Sequence, residues 1–255
     1  MSASLEHKKQ ICLIRHGQSL AQGTSRSERR SEAMFDCHCS RKGKTQAANI
    51  PQLLTAHGGM ENVEIVVTSP LTRAITTAVL GFAHRPEGIP LIVHPDCREV
   101  GGGTPIPENR PRTVRALKRD RYLCQLPAFE DLDFSLLPEN WAKKGVEEPP
   151  VQTSKKGNHE GFLNWLRSLP QTRIVVVTHC NFITGLLGGI QHPENALPIE
   201  CELDDRGIYL AGETPGSYIP TAIKGSGAED RSNHVKPPKK NNDQKPNKKD
   251  KKKKK

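Results

Sequence analysis

The segment "ICLIRHGQS", residues 11–19, joins an apolar run to a group of reactive side chains. Residues 11–14 are apolar, as is typical of a short buried strand. Arg15, His16 and Gly17 follow directly, with the glycine opening the next turn. The segment therefore predicts a strand that holds an arginine and a histidine at one point.

Apolar runs alternate with helical patterns along the rest of the chain. The predicted strands occupy residues 11–14, 63–69, 90–95 and 173–179, with a hairpin pair over 199–211. The predicted helices occupy residues 41–58 (broken near Pro51), 70–82, 113–123, 181–189 and a segment capped by Asn158 that carries residues 162–166. This alternation predicts a three-layer α/β/α sandwich with a mostly parallel central sheet.

The composition divides the chain into one domain, over residues 1–220, and a tail, over residues 221–255. Inside the domain, residues 101–157 are rich in glycine, proline and charge, and we expect an irregular lid or insertion there. In the tail, Lys236 to Lys255 contain eleven lysines and two aspartates, which supply nine of the ten formal positive charges of the chain. We expect this tail to be disordered and the rest of the protein to be nearly neutral.

The sequence also limits the cellular compartment. No run approaches the roughly 20 apolar residues that span a membrane, and the N-terminus lacks a signal core. The seven cysteines are irregularly spaced and do not suggest a secreted disulfide framework. We expect a cytoplasmic protein, with a nuclear location open through the lysine tail. The same tail is suited to non-specific contact with nucleic-acid phosphates or other anionic surfaces, or simply to solvation.

Charged and imidazole side chains follow several of the predicted strands. Ligand sites in open α/β sheets lie beyond the carboxyl ends of the strands, so these side chains are expected at one edge of the sheet. They are Arg15, His16, Arg73, Asp96, Arg98, Glu99 and His179. Two arginines and two histidines that converge require an anion between them, and a phosphoryl group fits this requirement. A neutral imidazole can attack phosphorus, and a carboxyl group such as Glu99 can then protonate the leaving alkoxide.

Four segments, "LIRHGQS", "TSPLTRAITTA", "REVGGG" and "VVVTHCN", resemble in their order and separation the histidine phosphatase superfamily, whose fold is phosphoglycerate mutase-like. The resemblance covers about residues 10 to 212 and implies that residues 1–220 form the catalytic domain. It implies His16 as the nucleophile, Glu99 as the acid that later activates water, and a phosphate pocket made by Arg15, Arg73 and His179. "DCHCSRKGKTQA" also resembles a family pattern through Asp36, Gly43 and Gln46.

The substrate-binding set extends the same pocket. We expect it to contain Arg15, Gln22, Arg73, Arg98, His179 and Cys180. Gln22 stands where the family commonly has asparagine, and Cys180 stands where glycine or serine is frequent. The expected ligand is a small phosphorylated substrate. No metal or cofactor is expected, because the arginines supply the positive charge and the cysteines and histidine of "DCHC" are poorly spaced for one zinc ion.

Two alternatives to a phosphatase remain open at this point. Glycolytic mutases carry Trp-Asn and Arg-x-Tyr-Gly runs where this chain has "LAQG" and "VGGG", so hydrolysis is favoured over a mutase reaction. A polybasic interaction protein with an inert phosphatase-like domain is the other alternative. For the acid itself, Asp96 and Glu108 compete with Glu99. Lys118, Arg119 and Arg121 of the lid are most simply an exposed helix face.

Overall fold

Seven strands form one mixed sheet in the computed structural model, which describes residues 8–56, 62–100, 106–138, 141–142, 158–188 and 192–212. They are β1 (Lys9–Arg15), β2 (Ile65–Thr68), β3 (Leu91–Val93), β4 (Leu132–Asp133), β5 (Arg173–Thr178), β6 (Pro198–Asp204) and β7 (Gly207–Leu210). Their order is β4-β3-β2-β5-β1-β6-β7. The first five strands are parallel, while β6 and β7 run antiparallel as the predicted hairpin.

Helices cover both faces of this sheet. In the part of the chain that the structure describes they are α1 (Arg41–Ala48), α2 (Ile50–Ala56), α3 (Thr72–Gly81), α4 (Val114–Leu117), α5 (His159–Ser168) and α6 (Cys180–Leu186), together with six short 3₁₀ turns. The break expected near Pro51 separates α1 from α2 at Asn49. Among the described residues, none of these helices combines the length and the apolar character needed to cross a membrane.

Alternation along the strands places the core on both sides of the sheet. In β1, Cys12 and Ile14 belong to a cluster that packs under α2 and α3. Ile11 and Leu13 belong to a second cluster with the apolar side of α5 and α6. Because successive side chains of a strand point to opposite faces, one apolar strand serves two helical layers. The three-layer α/β/α sandwich with a mostly parallel sheet is therefore confirmed.

Two local helix predictions were wrong. The helix expected over 113–123 ends after Leu117, and the carboxylate of Asp120 instead accepts hydrogen bonds from the backbone of Tyr122 and Leu123. Such a side-chain acceptor offers the backbone an alternative to helical bonds. Asn158 precedes α5 as expected, but its side chain makes no cap and donates to Asp96 at 2.8 Å.

The predicted lid is only partly irregular where the structure describes it. Its residues 132–133 form β4, which extends the parallel sheet beside β3. Its apolar residues Leu117, Leu123 and Phe129 lie in the same core cluster as α3. Residues 101–105, 139–140 and 143–157 of the lid lie outside the described residues, as does the predicted tail, 221–255. Every described residue belongs to one compact unit, Met1–Ala222.

Candidate active site

His16 lies directly beyond the carboxyl end of β1, buried at 3% exposure. Its Nδ1 lies 2.7 Å from the carbonyl oxygen of Gly17, and its Nε2 lies 3.1 Å from Nε of Arg73. A carbonyl oxygen accepts and a guanidinium donates, so Nδ1 carries the proton and Nε2 presents a lone pair. Burial, and after it the charge of Arg73, holds the pKa of His16 well below its usual range. The imidazole is therefore neutral, as a nucleophile must be.

Arg73, in the first turn of α3, links the two histidines. Besides its bond to His16, it donates from Nη2 to Nδ1 of His179 at 3.2 Å. Nε2 of His179 then donates to the hydroxyl of Ser69 at 2.7 Å. The two imidazole rings lie 5.0 Å apart between centroids. Burial, followed by the charge of Arg73, lowers the pKa of His179 well below its usual value, so this ring is also neutral.

Arg15 and Glu99 complete the group. Arg15 donates from Nη1 to the carbonyl of Pro193 at 2.8 Å, while its Nε is buried without a hydrogen-bond partner among the described residues. Glu99 accepts from the backbone N–H of Val100 and of Asn181, both at 3.1 Å. Burial raises the pKa of Glu99 despite these bonds and the nearby charge of Arg73. A raised pKa favours the protonated carboxyl group relative to an exposed glutamate, which suits a general acid.

Four of these side chains, Arg15, His16, Arg73 and Glu99, line a cavity of about 240 Å³, whereas His179 is not in its lining. Its lining residues are Arg15, His16, Ser19, Gln22, Arg29, Arg73, Glu99, Glu108, Cys180, Asn181 and His192. Gln22 and Cys180, both from the expected substrate-binding set, line this cavity, with Cys180 Sγ at 3.9 Å from Nδ1 of His192. Arg98 is not in this lining, and its guanidinium lies over the ring of Trp141 at 5.4 Å. Asp96, one of the competing carboxylates, is likewise outside the lining, whereas Glu108 is inside it.

The pattern Asp36, Gly43 and Gln46 supports the loop that carries His16. Asp36 accepts from the backbone N–H and the hydroxyl of Thr72, at 2.9 and 2.6 Å, and so fixes the start of α3. Gln46 accepts from the backbone N–H of Gln18 at 2.9 Å. Gly43 contacts this loop backbone to backbone, since a Cβ on it would lie 2.1 Å from the carbonyl oxygen of Gln18.

Gly43→Ala is therefore expected to destabilise the protein strongly. The new methyl group would meet backbone, which cannot move aside as a flexible side chain does. We expect the free energy of unfolding to fall by more than about 2 kcal/mol, measured by urea denaturation. Gly23→Ala is the matched control, because a Cβ there meets nothing within 4 Å. Equal stability of the two variants would show that the close contact at Gly43 is unimportant.

Asn109, Asn195 and Ser69 belong to the site but were not predicted from the sequence, and Glu108 was considered there only as a competing acid. Arg73 donates to the carbonyl of Glu108 at 2.5 Å and to the side chain of Asn109 at 2.8 Å. Asn195 donates to the carbonyl of His16 at 2.6 Å. Glu108 and Asn109 come from the lid and Asn195 from the approach to β6, where no periodic pattern marks a strand end. Of these residues, Ser69 alone could have been found from the sequence, because it directly follows β2 and site residues are expected at strand ends.

The "DCHC" segment packs against residues of the site and of the lid. Cys37 and Cys39 are buried, and Cys39 Sγ contacts the carbonyl of Arg73 at 3.2 Å. His38 faces Asp120 of the lid, with Nε2 at 3.3 Å from the carboxylate. In the described part of the chain, no three histidine, cysteine or carboxylate side chains are grouped so that they could hold a metal ion.

A sequence profile of the histidine phosphatase superfamily (branch 1) matches residues 11–216. The chain therefore belongs to this superfamily, and the resemblance found in its motifs is confirmed. Two relatives from Arabidopsis thaliana are similar over most of their length. Phosphoglycerate mutase-like protein 1 is 26% identical over 233 residues, covering 78% of this chain and 76% of that protein. A phosphoglycerate mutase-like protein is 27% identical over 216 residues, covering 72% and 75%.

Solved structures support the fold. A protein of Escherichia coli K-12 that is proposed to be an alpha-ribazole-5′-P phosphatase aligns with a TM-score of 0.50 and 20% identity. The alignment covers 79% of this chain and 94% of that protein. At this identity the similarity establishes the phosphoglycerate mutase-like α/β fold and no more.

Proposed function

We propose that this protein is a phosphomonoester hydrolase that works through a phosphohistidine intermediate on His16. The observation that carries the proposal is the neutral, buried imidazole of His16, whose Nε2 lone pair faces Arg73 beside a second neutral imidazole, His179. An oxygen-rich dianion matches this arrangement, because guanidinium groups bind phosphoryl oxygens through paired N–H donors. Membership of the superfamily supports the same reaction class.

The first half-reaction forms the phosphoenzyme. The substrate phosphoryl group takes over the N–H donors of Arg73 that now contact the two histidines, and Nε of Arg15 supplies a further donor. Nε2 of His16 attacks phosphorus as the ester P–O bond breaks. Glu99, whose pKa is raised, gives its proton to the departing alkoxide. The Nδ1–H bond to the carbonyl of Gly17 stabilises the positive charge that develops on the imidazole ring.

The second half-reaction releases phosphate. Glu99 is now a carboxylate and takes a proton from a water molecule as that water attacks phosphorus. The P–N bond breaks, its electron pair returns to Nε2 of His16, and inorganic phosphate leaves. Arg15 and Arg73 hold the phosphoryl oxygens in both halves, with His179 beside them, so no metal ion is needed for charge neutralisation.

Phosphate release distinguishes this function from that of a mutase. We expect the purified full chain to release inorganic phosphate from p-nitrophenyl phosphate and from glycerol 3-phosphate. In parallel, conversion of 3-phosphoglycerate to 2-phosphoglycerate is followed with 2,3-bisphosphoglycerate present. The missing Trp-Asn and Arg-x-Tyr-Gly runs lead us to expect that hydrolysis dominates. Robust mutase turnover with negligible phosphate release would overturn the proposal.

A further inference from the structure

The wall of the cavity carries an ion pair that the proposed reaction does not use. Arg29, in the 3₁₀ turn Glu28–Arg30, donates from Nε to Oε1 of Glu108 at 2.6 Å, and its Nη2 pairs with the same oxygen. Glu108 lies in the 3₁₀ turn Pro107–Asn109 of the lid. Both side chains line the cavity that contains His16.

The two partners differ sharply in exposure. The side chain of Glu108 is 2% exposed, while that of Arg29 is 46% exposed. A buried carboxylate without its cation would be costly, so Glu108 keeps Arg29 in place. Nη1 of Arg29 has no hydrogen-bond partner among the residues that the structure describes. A fixed cation with an available donor on a cavity wall is suited to binding an anion.

This anion is distinct from the phosphoryl group that is transferred. The proposed function already assigns the transferred group to Arg15 and Arg73, whereas Arg29 is held on a different part of the cavity wall by Glu108. Arg29 nevertheless lines the same cavity as His16, and its charge contributes to lowering the pKa of His16. The carbonyl of its partner Glu108 also accepts from Arg73. Arg29 therefore shares the cavity with the phosphoryl site, and the alcohol part of a bound ester would have to fit into the same cavity.

We propose that Arg29 binds a second anionic group on the alcohol part of the substrate, with Glu108 as the positioning residue. The preferred substrates are then phosphomonoesters that carry a carboxylate or a second phosphate. This inference rests on the proposed function, because it concerns the leaving group of the same reaction.

The test compares substrates that differ only at the second group. Glycerol 3-phosphate has a neutral hydroxymethyl end, 3-phosphoglycerate has a carboxylate there, and glycerol 1,3-bisphosphate has a phosphate. We expect kcat/KM of the wild-type chain for an anionic substrate to exceed that for glycerol 3-phosphate by at least about tenfold, as a charge-assisted hydrogen bond allows. The substrate with the larger ratio identifies which anion the site takes.

Arg29→Met is expected to lower this ratio about 10- to 100-fold. Arg30→Met is the matched control, since Arg30 is an exposed neighbour outside the cavity lining, and its ratio should match the wild type. The double variant Arg29→Met/Glu108→Gln removes the buried carboxylate together with its cation, so that an unpaired charge cannot cause misfolding. Its ratio of kcat/KM values should fall as much as that of Arg29→Met. Glu108→Gln alone should raise KM for the anionic substrate more than KM for glycerol 3-phosphate, because Arg29 remains but is held less firmly.

Two results would overturn the inference in distinguishable ways. If Arg29→Met lowers kcat/KM equally for all three substrates, Arg29 belongs to the common phosphoryl site or to the scaffold, and only this inference fails. If the wild-type chain releases phosphate from none of them, the proposed function fails and takes the inference with it.

Discussion

His16→Ala is expected to abolish phosphate release, with a loss of at least about 10⁴-fold in kcat. The reason is that the neutral imidazole is the only group we assign to attack phosphorus, and the arginines can bind the ester but cannot displace its alcohol. Substrate labelled with ³²P should leave acid-labile label on the wild-type chain after rapid quenching. The variant should carry none.

Two control variants separate loss of chemistry from loss of structure. His16→Asn retains an N–H donor for the carbonyl of Gly17, so it should fold while remaining inactive. His84→Ala removes an exposed histidine and should keep wild-type turnover and labelling. Substantial turnover by His16→Ala, or label on another residue, would exclude the phosphohistidine mechanism proposed above.

Glu99→Gln is expected to lower kcat/KM for alkyl phosphates about 10²- to 10⁴-fold, the usual contribution of a general acid. The loss should be smaller for p-nitrophenyl phosphate, whose leaving group needs less protonation. Because glutamine cannot activate water either, the phosphoenzyme should accumulate and give a burst of p-nitrophenol. Stopped-flow absorbance measures both effects.

The pH profile gives an independent test of the same residue. Burial raises the pKa of Glu99, so its acidic form survives to higher pH than that of an exposed glutamate, and activity should fall as pH rises through this pKa. On the acid side, the lowered pKa of His16 keeps the nucleophile neutral. Glu99→Gln should abolish this fall of activity at high pH, whereas Asp96→Asn should retain it. If Glu108→Gln abolishes the fall instead, the acid is Glu108.

The sequence was sufficient for every strand of the sheet except β4, and for the side chains that follow those strands. Continuous apolar runs such as residues 173–178 identify a strand that is covered on both faces, and parallel strands bring their carboxyl ends to one edge. His16, Arg73 and His179 are therefore predictable as neighbours. Their contacts at 3.1 and 3.2 Å agree with that prediction.

The lid could not be predicted in the same way. Its local structure depends on side chains such as Asp120, which binds the backbone of its own loop and pairs with Arg112 at 2.6 Å. Glu108 lines the cavity from a short 3₁₀ turn, and no periodic pattern in the sequence predicts this turn. Contacts of this kind are set by tertiary packing. The part of the cavity wall that we propose to select the substrate is therefore the part that is hardest to predict from the sequence.

The order of the strands has a consequence for how activity arises during synthesis. Arg73 bonds to one histidine 57 positions before it and to another 106 positions after it, because β5 inserts between β1 and β2. A growing polypeptide thus holds the nucleophile long before it holds the second imidazole. No fragment that stops short of β5 can assemble this chemistry, and turnover will report that β5 has taken its place between β1 and β2.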